Sequence, residues 1–266
     1  MSKVSNAQAE LREMDELSAR TSPIHNLHPL TKLLVTLGYL FTVVSYPKYS
    51  FSALFVMLLY PVLIFQLSGI PVRLCFHKLR LMLVLVCAVG ILNPFFDRTP
   101  VLALGGLTVT GGVLSMATLI LKGVFALMAS FLLIATTPID RLCAALRRLH
   151  VPGILVTLLL LTYRYVSLML RQVSVMTDAY ALRAPGQKGI HISAWGSFLG
   201  QLLLRSIDRG SELYQSMELR GFRGEFHYAD GPGYRVGDLS YALCWAAFFL
   251  AARLADLPRL LGNLFV

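Results

Sequence analysis

Long apolar segments separated by short polar connections dominate the first half of the chain. Four of them occupy residues 32–46, 51–67, 79–95 and 112–136, and a fifth lies at residues 239–257. A helix that crosses a bilayer needs roughly 20 mostly apolar residues, and fewer where neighbouring helices cover its ends. The pattern therefore predicts an all-α integral membrane protein with five transmembrane helices.

The composition favours the same class of protein. Of the 266 residues, 56% are hydrophobic and only 14% are charged, which is too apolar for an ordinary soluble domain. The net charge is +10, and the basic residues responsible lie between the apolar segments. They do not form the polar, aromatic-containing surface that is typical of soluble nucleic-acid-binding proteins. An excess of cations on cytoplasmic loops explains this charge better than nucleic-acid binding does.

Basic residues also predict the orientation in the membrane. They concentrate in the connection between the second and third apolar segments and directly after the fourth, at Arg73, Lys78, Arg80, Arg141, Arg147 and Arg148. The positive-inside rule places both regions, and with them the N-terminus, in the cytoplasm. The first 20 residues lack the basic start and apolar core of a cleaved signal, so we expect them to remain on the mature protein.

These assignments divide the chain into five parts. A cytoplasmic N-terminal segment (1–31) precedes four transmembrane helices (32–137). An arginine-rich cytoplasmic region (138–237), a C-terminal transmembrane helix (238–258) and a tail (259–266) follow.

The arginine-rich region predicts one short and two long amphipathic helices. The short helix lies within residues 136–152 and stops before Pro152. The long helices occupy roughly residues 153–183 and 192–220. The first half of residues 153–183 is apolar on all sides, so a sixth transmembrane helix is an open alternative.

Each long helix is predicted to end on an arginine followed closely by glycine. The sequence ALRAPG contains Arg183, and MELRGF contains Arg220. Arginine complements the negative end of a helix dipole and glycine supplies the left-handed conformation that ends the helix, which explains either motif alone. Two copies also suit bidentate docking against carboxylates of a partner protein. The flanking members of this candidate site are Ala181, Leu182, Ala184, Gly186, Leu219 and Gly221.

Small residues recur along the second long helix. They are Gly196, Gly200, Ser206 and Gly210. Because small side chains let helix backbones approach closely, we predict that this helix crosses another helix at these positions.

The two arginine motifs resemble the paired signatures of the transmembrane T component of energy-coupling-factor (ECF) transporters. The segments DELSARTSPIHNLHPLTKLL and TTPIDRLCAALRRLHVP resemble the cobalt-transport CbiQ type more narrowly, and the resemblance runs from about residue 15 to residue 226. The sequence departs from the usual signature at three positions. Leu182 and Leu219 replace the alanine that usually precedes the arginine, and Ala184 replaces the usual glycine or serine.

The resemblance implies a coupling subunit of a prokaryotic inner-membrane importer, with two cytoplasmic ABC-type ATPases and a small membrane substrate-binding subunit as partners. Arg183 would contact one ATPase and Arg220 the other. ATP and Mg would be bound by the ATPases, and cobalt by the substrate-binding subunit, so this chain is expected to be non-catalytic and to hold no cofactor. Nickel or a vitamin is an alternative cargo, and a self-sufficient secondary transporter is an alternative function.

Three further polar residues raise competing explanations. Lys122 lies in the middle of a predicted transmembrane helix, where a charged residue raises the hypothesis of an ion relay. The alternatives are that it pairs with a backbone carbonyl, extends its charge to the membrane surface, or contacts the substrate-binding subunit. His25 and His28 are three positions apart, but no third ligand is evident nearby, so we expect no metal site. Motifs typical of hydrolases or metalloproteases are absent from the sequence.

Overall fold

A computed structural model describes residues 3–47, 51–96, 100–104, 107–187, 189–224 and 233–254. Eleven helices account for most of these residues. They are α1 (Lys3–Ser18), α2 (Pro29–Ser45), α3 (Phe51–Met57), α4 (Leu59–Ser68), α5 (Val72–Lys78), α6 (Arg80–Phe96), α7 (Gly111–Thr136), α8 (Ile139–Arg148), α9 (Gly153–Arg183), α10 (Ile192–Leu219) and α11 (Val236–Leu254). A short antiparallel hairpin, β1 (Pro100–Leu104) and β2 (Leu107–Thr110), connects α6 to α7. The predicted all-α architecture is confirmed, with this hairpin as its one interruption in the described part of the chain.

Contacts divide the chain into two compact units. The first, which we name the coupling unit after the role predicted from its sequence, contains Met1–Glu16 and Ile139–Gly231; the second, the membrane unit, contains Leu17–Pro138 and Pro232–Val266. In the membrane unit α7 packs against α2, α3, α4 and α6, and α2 packs against α11. In the coupling unit α9 packs chiefly against α8 and makes fewer contacts with α10.

Buried aromatic side chains form the centre of the membrane unit. Tyr39 of α2 stacks on Tyr60 of α4 with ring centroids 4.4 Å apart, and Tyr60 meets Trp245 of α11 edge to face at 4.7 Å. Phe249, one turn further along α11, packs 5.8 Å from Trp245. Burying several rings removes a large apolar area from contact with lipid or water, so this cluster fixes α2, α4 and α11 together.

Apolar side chains also cover the outside of the membrane unit. Phe41 of α2 and Leu81 of α6 are each 78% exposed, and Val84 and Leu85 are more than half exposed. A soluble domain rarely exposes so many large apolar residues. These side chains are suited to contact with lipid.

Two described helices are long and apolar enough to cross a membrane, namely Gly111–Thr136 and Gly153–Arg183. A third is counted if Leu54–Ser68 and Val72–Lys78, which meet at 110°, form one broken span. Pro29–Ser45 and Arg80–Ile91 are apolar but shorter. The total of five or six spans therefore stays a prediction.

Two glycines allow α6 and α7 to approach closely. A Cβ atom added at Gly123 of α7 would lie 2.5 Å from Cγ1 of Val86, and one added at Gly90 of α6 would lie 2.7 Å from Cγ1 of Ile120. These distances are shorter than van der Waals contact. A larger residue at Gly90 or Gly123 would therefore fit only if the neighbouring side chain moved. Gly38 of α2, by contrast, has no heavy atom within 4 Å of the equivalent position.

We expect Gly123→Ala to lower the free energy of unfolding of the membrane unit by about 1–2 kcal/mol. The stiff Val86 side chain must give way to the added methyl group, and this cost exceeds the gain in helix propensity. Thermal unfolding of the purified protein in detergent measures the effect. Gly38→Ala is the matched control and should be neutral or stabilising; equal effects of the two substitutions would refute the close packing of α6 against α7.

Candidate coupling site

The first arginine motif lies at the C-terminus of α9. Arg183 is the last helical residue, and the amide of Ala184 still donates to the carbonyl of Tyr180 at 3.0 Å. Pro185 has no amide to continue this pattern and disfavours helical geometry at Ala184, which takes φ −124° and ψ 67°. Gly186 then adopts φ +95° in the turn that follows. Pro185 therefore ends α9, and Gly186 supplies the residue with positive φ in the turn that follows.

The second motif ends α10 in a different way. Arg220 is the C-cap, and Gly221 follows with φ +81°. The amide of Gly221 donates to the carbonyl of Glu218 and that of Phe222 to the carbonyl of Met217, both at 2.9 Å. This pair of hydrogen bonds is a Schellman motif, so the local explanation of the glycine is confirmed at this end.

Both guanidinium groups are available for a partner. Arg183 and Arg220 are exposed, and among the described residues neither side chain makes a hydrogen bond or an ion pair. The leucine before each arginine is also exposed, Leu182 at 84% and Leu219 at 90%. Each helix end therefore presents an apolar side chain directly beside a permanent positive charge.

The remaining flanking residues add little bulk around the arginines. Ala181 and the two glycines, Gly186 and Gly221, are exposed, and Ala184 is partly buried. A planar guanidinium on a short, uncrowded helix end can enter a groove without displacing large neighbours.

The structure does not show the predicted close crossing along α10. A Cβ atom at Gly196, Gly200 or Gly210 would have no heavy atom within 4 Å in the described part of the chain. The Ser206 hydroxyl donates to the carbonyl of Leu203 in its own helix at 2.7 Å. Close approach is seen at Gly90 of α6 and Gly123 of α7, and a crossing at the α10 glycines stays a prediction.

The apolar stripe of α10 is correspondingly unburied. No described residue of this helix is buried, and Trp195, Leu199, Leu203, Ile207 and Tyr214 are between 45% and 60% exposed. An amphipathic helix is normally stabilised by burying such a face. The described coupling unit leaves that face open.

Lys122 pairs with backbone carbonyls. Its Nζ donates to the carbonyl of Val44 at 3.1 Å and to that of Tyr46. The last carbonyls of a helix have no partner within the helix, so Lys122 satisfies the C-terminal end of α2. Of the alternatives for this residue, carbonyl pairing is the one that the structure shows.

Tyr46 extends this contact to α11. Its hydroxyl donates to the carbonyl of Ala252 at 3.1 Å, and the Arg253 guanidinium lies 5.2 Å from the centre of its ring. The C-terminal end of α2 is therefore held by α7 and α11 together.

His25 and His28 serve the local fold. The Nε2 atom of His25 lies 3.1 Å from the carbonyl of Leu17, and its Nδ1 atom lies 2.7 Å from the hydroxyl of Ser22. Nδ1 of His28 accepts from the amide of Leu30 at 3.2 Å and thereby caps the N-terminus of α2, where Pro29 occupies the first position. In the described ranges, no group of three or more His, Cys, Asp or Glu residues could hold a metal ion.

Burial lowers the pKa of His25, and the positive charges of Lys32 and Arg20 add to this effect, while the carbonyls of Leu17 and Ala135 oppose it. His25 is only 3% exposed. In the folded protein it therefore binds a proton less readily than in the unfolded chain, whose histidine pKa is about 6.5. Its stabilising contribution is present above pH 6.5 and is lost as the pH falls below that value.

We expect acid to destabilise the wild type by up to about 1.4 kcal/mol per pH unit through His25, in the interval below pH 6.5. The melting temperature should be measured from pH 7.5 to pH 5 for the wild type and for His25→Gln. The variant should be less stable at pH 7.5 but should lose less stability on acidification. Parallel pH profiles for the two proteins would show that His25 does not contribute to the acid sensitivity.

Asp238 connects the N-terminal end of α11 to the N-terminal end of α2. This carboxylate is 3% exposed and accepts from the amides of His28 at 2.7 Å and Arg235 at 2.8 Å. Beside it, the His28 ring stacks on Tyr234 with centroids 4.2 Å apart. Sequence inspection missed this contact because its partners are 210 positions apart; the acidic residue just before an apolar segment was the available signal.

Lys32 makes a similar buried contact. It is 4% exposed, and its Nζ donates to the carbonyl of Thr136 at the C-terminus of α7 at 2.7 Å. A buried ammonium is tolerated when it is hydrogen-bonded in this way. Together, Lys32 and Asp238 fix the N-terminal end of α2 against α7 and α11.

Comparison with known proteins identifies the family. The model of the cobalt transport protein (CbiQ) family matches residues 20–228. The energy-coupling factor transporter transmembrane protein EcfT of Thermosediminibacter oceani is 26% identical over 220 residues, covering 76% of this chain and 81% of that protein. The cobalt transport protein CbiQ of Salmonella typhimurium is 24% identical over 155 residues, 52% of this chain and 67% of that protein.

A third relative shares a shorter segment at higher identity. The nickel permease LarQ of Lactiplantibacillus plantarum is 33% identical over 101 residues, which cover 38% of this chain. The chain spans 36% of the length of LarQ and 46% of an uncharacterized protein of Methanocaldococcus jannaschii. Because the family model matches well over half of the sequence, this chain is a membrane protein of the cobalt transport protein (CbiQ) family.

Proposed function

We propose that this chain is the transmembrane coupling subunit of an ECF-type ABC importer. The observation that carries the proposal is the pair of helix ends, each with an exposed leucine next to an exposed arginine whose guanidinium has no partner among the described residues. In the proposed complex, two cytoplasmic ATPases each receive one end, Arg183 in one and Arg220 in the other.

The chemistry of the two ends fits this role. A guanidinium can form two parallel hydrogen bonds with one carboxylate, and it keeps its charge at any cellular pH. The adjacent leucine can fill an apolar part of the same groove and exclude water from the charged contact, which strengthens that contact. The departure from alanine at positions 182 and 219 therefore adds apolar contact area to each end.

The helices behind these ends can transmit force. α9 has 31 residues and α10 has 28, which correspond to lengths of about 46 Å and 42 Å. Closure of the ATPases around ATP would move the two ends relative to each other, and the helices would pass this motion to a membrane substrate-binding subunit. ATP and Mg are held by the ATPases, and no residue of this chain takes part in hydrolysis. The open apolar stripe of α10 is the surface that we assign to the substrate-binding subunit.

We propose cobalt as the cargo, bound by the substrate-binding subunit. The description of the matching family supports cobalt, while the name of LarQ supports nickel as the second candidate. A vitamin remains a further alternative. We place the protein in the prokaryotic cell membrane with α9 and α10 ending in the cytoplasm, because arginines concentrate in this region.

Expression of the tagged chain together with its genomic neighbours tests the proposal. Purification should recover two copies of an ABC-type ATPase and one small membrane subunit, and the complex in liposomes should accumulate Co²⁺ only with ATP. A parallel assay with Ni²⁺ decides between the two metals. Metal uptake by the isolated chain in liposomes without ATPases would contradict the proposal and support a self-sufficient transporter.

A further inference from the structure

A cleft between α9 and α10 is not used by the proposed function. It has a volume of about 520 Å³ and lies within the coupling unit. Leu168, Met169 and Val175 of α9 supply its apolar lining. Arg171 precedes Arg183 by twelve positions, about 18 Å along the helix, so the cleft is separate from the arginine-bearing end of α9.

The charged lining contains exposed groups that are free to contact a ligand. Arg209 and Glu212 pair with each other at 3.3 Å. Arg171 on α9 and Arg205 and Asp208 on α10 make no ion pair or side-chain hydrogen bond with any described residue. Two cations and one anion therefore line the cleft without a direct ion pair among the described residues.

This arrangement matches one kind of ligand. Two guanidinium groups on opposite sides of a cleft suit a phosphate, which accepts several charge-assisted hydrogen bonds. Asp208 is three positions after Arg205, so its carboxylate lies on the same helix face and suits a cation close to that phosphate. A phosphate joined to an ammonium by a short linker satisfies all three groups.

The apolar lining indicates that the ligand is a lipid. Val175, which lines the cleft, is 62% exposed. The helix that supplies the lining, α9, is itself apolar enough to cross a membrane. A free phosphate compound would leave these apolar side chains in water, whereas a phospholipid would cover them with its glycerol and acyl groups.

We propose that this cleft binds the headgroup of a phosphoethanolamine lipid, with Arg171 and Arg205 contacting the phosphate and Asp208 contacting the ammonium. The inference does not depend on the identity of the transported ion or of the ATPases. It concerns the arginines inside the cleft, not those at the helix ends.

Native mass spectrometry of the full-length protein in detergent tests this site. Phosphatidylethanolamine, phosphatidylcholine, phosphatidylglycerol and soluble glycerophosphoethanolamine should be titrated separately. We expect phosphatidylethanolamine to bind most tightly, and Arg171→Gln and Arg205→Gln each to weaken it by about tenfold or more. Asp208→Asn should remove the preference over phosphatidylglycerol.

Arg164→Gln is the matched control, because Arg164 is an exposed arginine of α9 that does not line the cleft. It should bind phosphatidylethanolamine as the wild type does. Equal binding by the wild type and both cleft variants would overturn the proposal, as would soluble glycerophosphoethanolamine binding as tightly as the lipid. Cross-linking of the cleft to a co-purified protein subunit would also overturn it, since the occupant would then be a protein.

Discussion

Replacing Arg183 and Arg220 together by glutamate is expected to abolish ATP-dependent metal uptake while the protein still inserts into the membrane. Both side chains are exposed and make no hydrogen bond or ion pair with a described residue, so within the chain the substitutions disturb only the interaction of each arginine with its helix dipole. In the proposed complex, each would place a negative charge against the carboxylates that the arginine contacts. Losing one partner of a buried charge pair costs about 2–5 kcal/mol, so ATPase binding should weaken by roughly 30-fold or more at each end.

Single substitutions resolve the contributions of the two ends. Arg183→Lys and Arg220→Lys keep the charge but lose the two-pronged geometry, so we expect intermediate binding and uptake. Arg164→Glu makes the same charge change on an exposed part of α9 and serves as the control. Normal uptake by Arg183→Glu and Arg220→Glu would refute the assignment of these ends to the ATPases.

Asp238→Ala is expected to cause the largest loss of stability in the membrane unit. Asp238 is almost fully buried and accepts two backbone hydrogen bonds, from His28 and Arg235. Removing it leaves both amides without their acceptor. Hydrogen bonds to charged groups contribute about 1.5–3 kcal/mol each, so a total loss of about 3–6 kcal/mol is expected. In a protein of this size the melting temperature should fall by roughly 6–24 °C.

Thermal unfolding in detergent, followed by tryptophan fluorescence, measures this loss, because Trp245 lies in the aromatic centre of the same unit. Asp238→Asn retains one acceptor oxygen and should be less affected. Asp178→Ala removes an exposed carboxylate of α9 and should leave the melting temperature unchanged. A melting temperature for Asp238→Ala equal to that of the wild type would show that the buried carboxylate is not required.

The positions of the membrane helices could be predicted from the sequence. The apolar segments at residues 32–46, 79–95 and 112–136 correspond closely to α2, α6 and α7, and residues 239–257 overlap most of α11. Apolar runs between turn-forming residues are a strong local signal. The segment at residues 51–67, which is divided into α3 and α4 at Leu58, shows the limit of that signal, since a break at one apolar residue leaves the apolar pattern unchanged.

Contacts between helices could not be predicted in the same way. Gly196, Gly200 and Gly210 resembled a crossing motif, yet the close approach occurs at Gly90 and Gly123. In a membrane protein both the packed face and the lipid-facing side of a helix are apolar, so hydrophobic periodicity does not identify the face that meets a neighbour. The contacts of Asp238 with His28 and of Lys122 with Tyr46 join positions far apart in sequence, and no local pattern encodes them.

The ends of α9 and α10 could be predicted in part. The arginines, the glycines and the helix boundaries were predicted, because local backbone chemistry determines them. The exposure of Leu182 and Leu219 was not, since a leucine near a helix end is compatible with burial as well as with contact to a partner. Their exposure supports the proposal that these ends dock on a partner, because a helix cap alone does not require an exposed leucine.

Photo-cross-linking from these two leucines tests the central claim most directly. A photoreactive amino acid would replace Leu182 or Leu219 in cells that also produce the ABC-type ATPases and the membrane substrate-binding subunit. The proposal predicts that each position yields one major product whose mass is the sum of this chain and an ATPase subunit. Products containing only lipid, or no cross-link to an ATPase from either position, would contradict it.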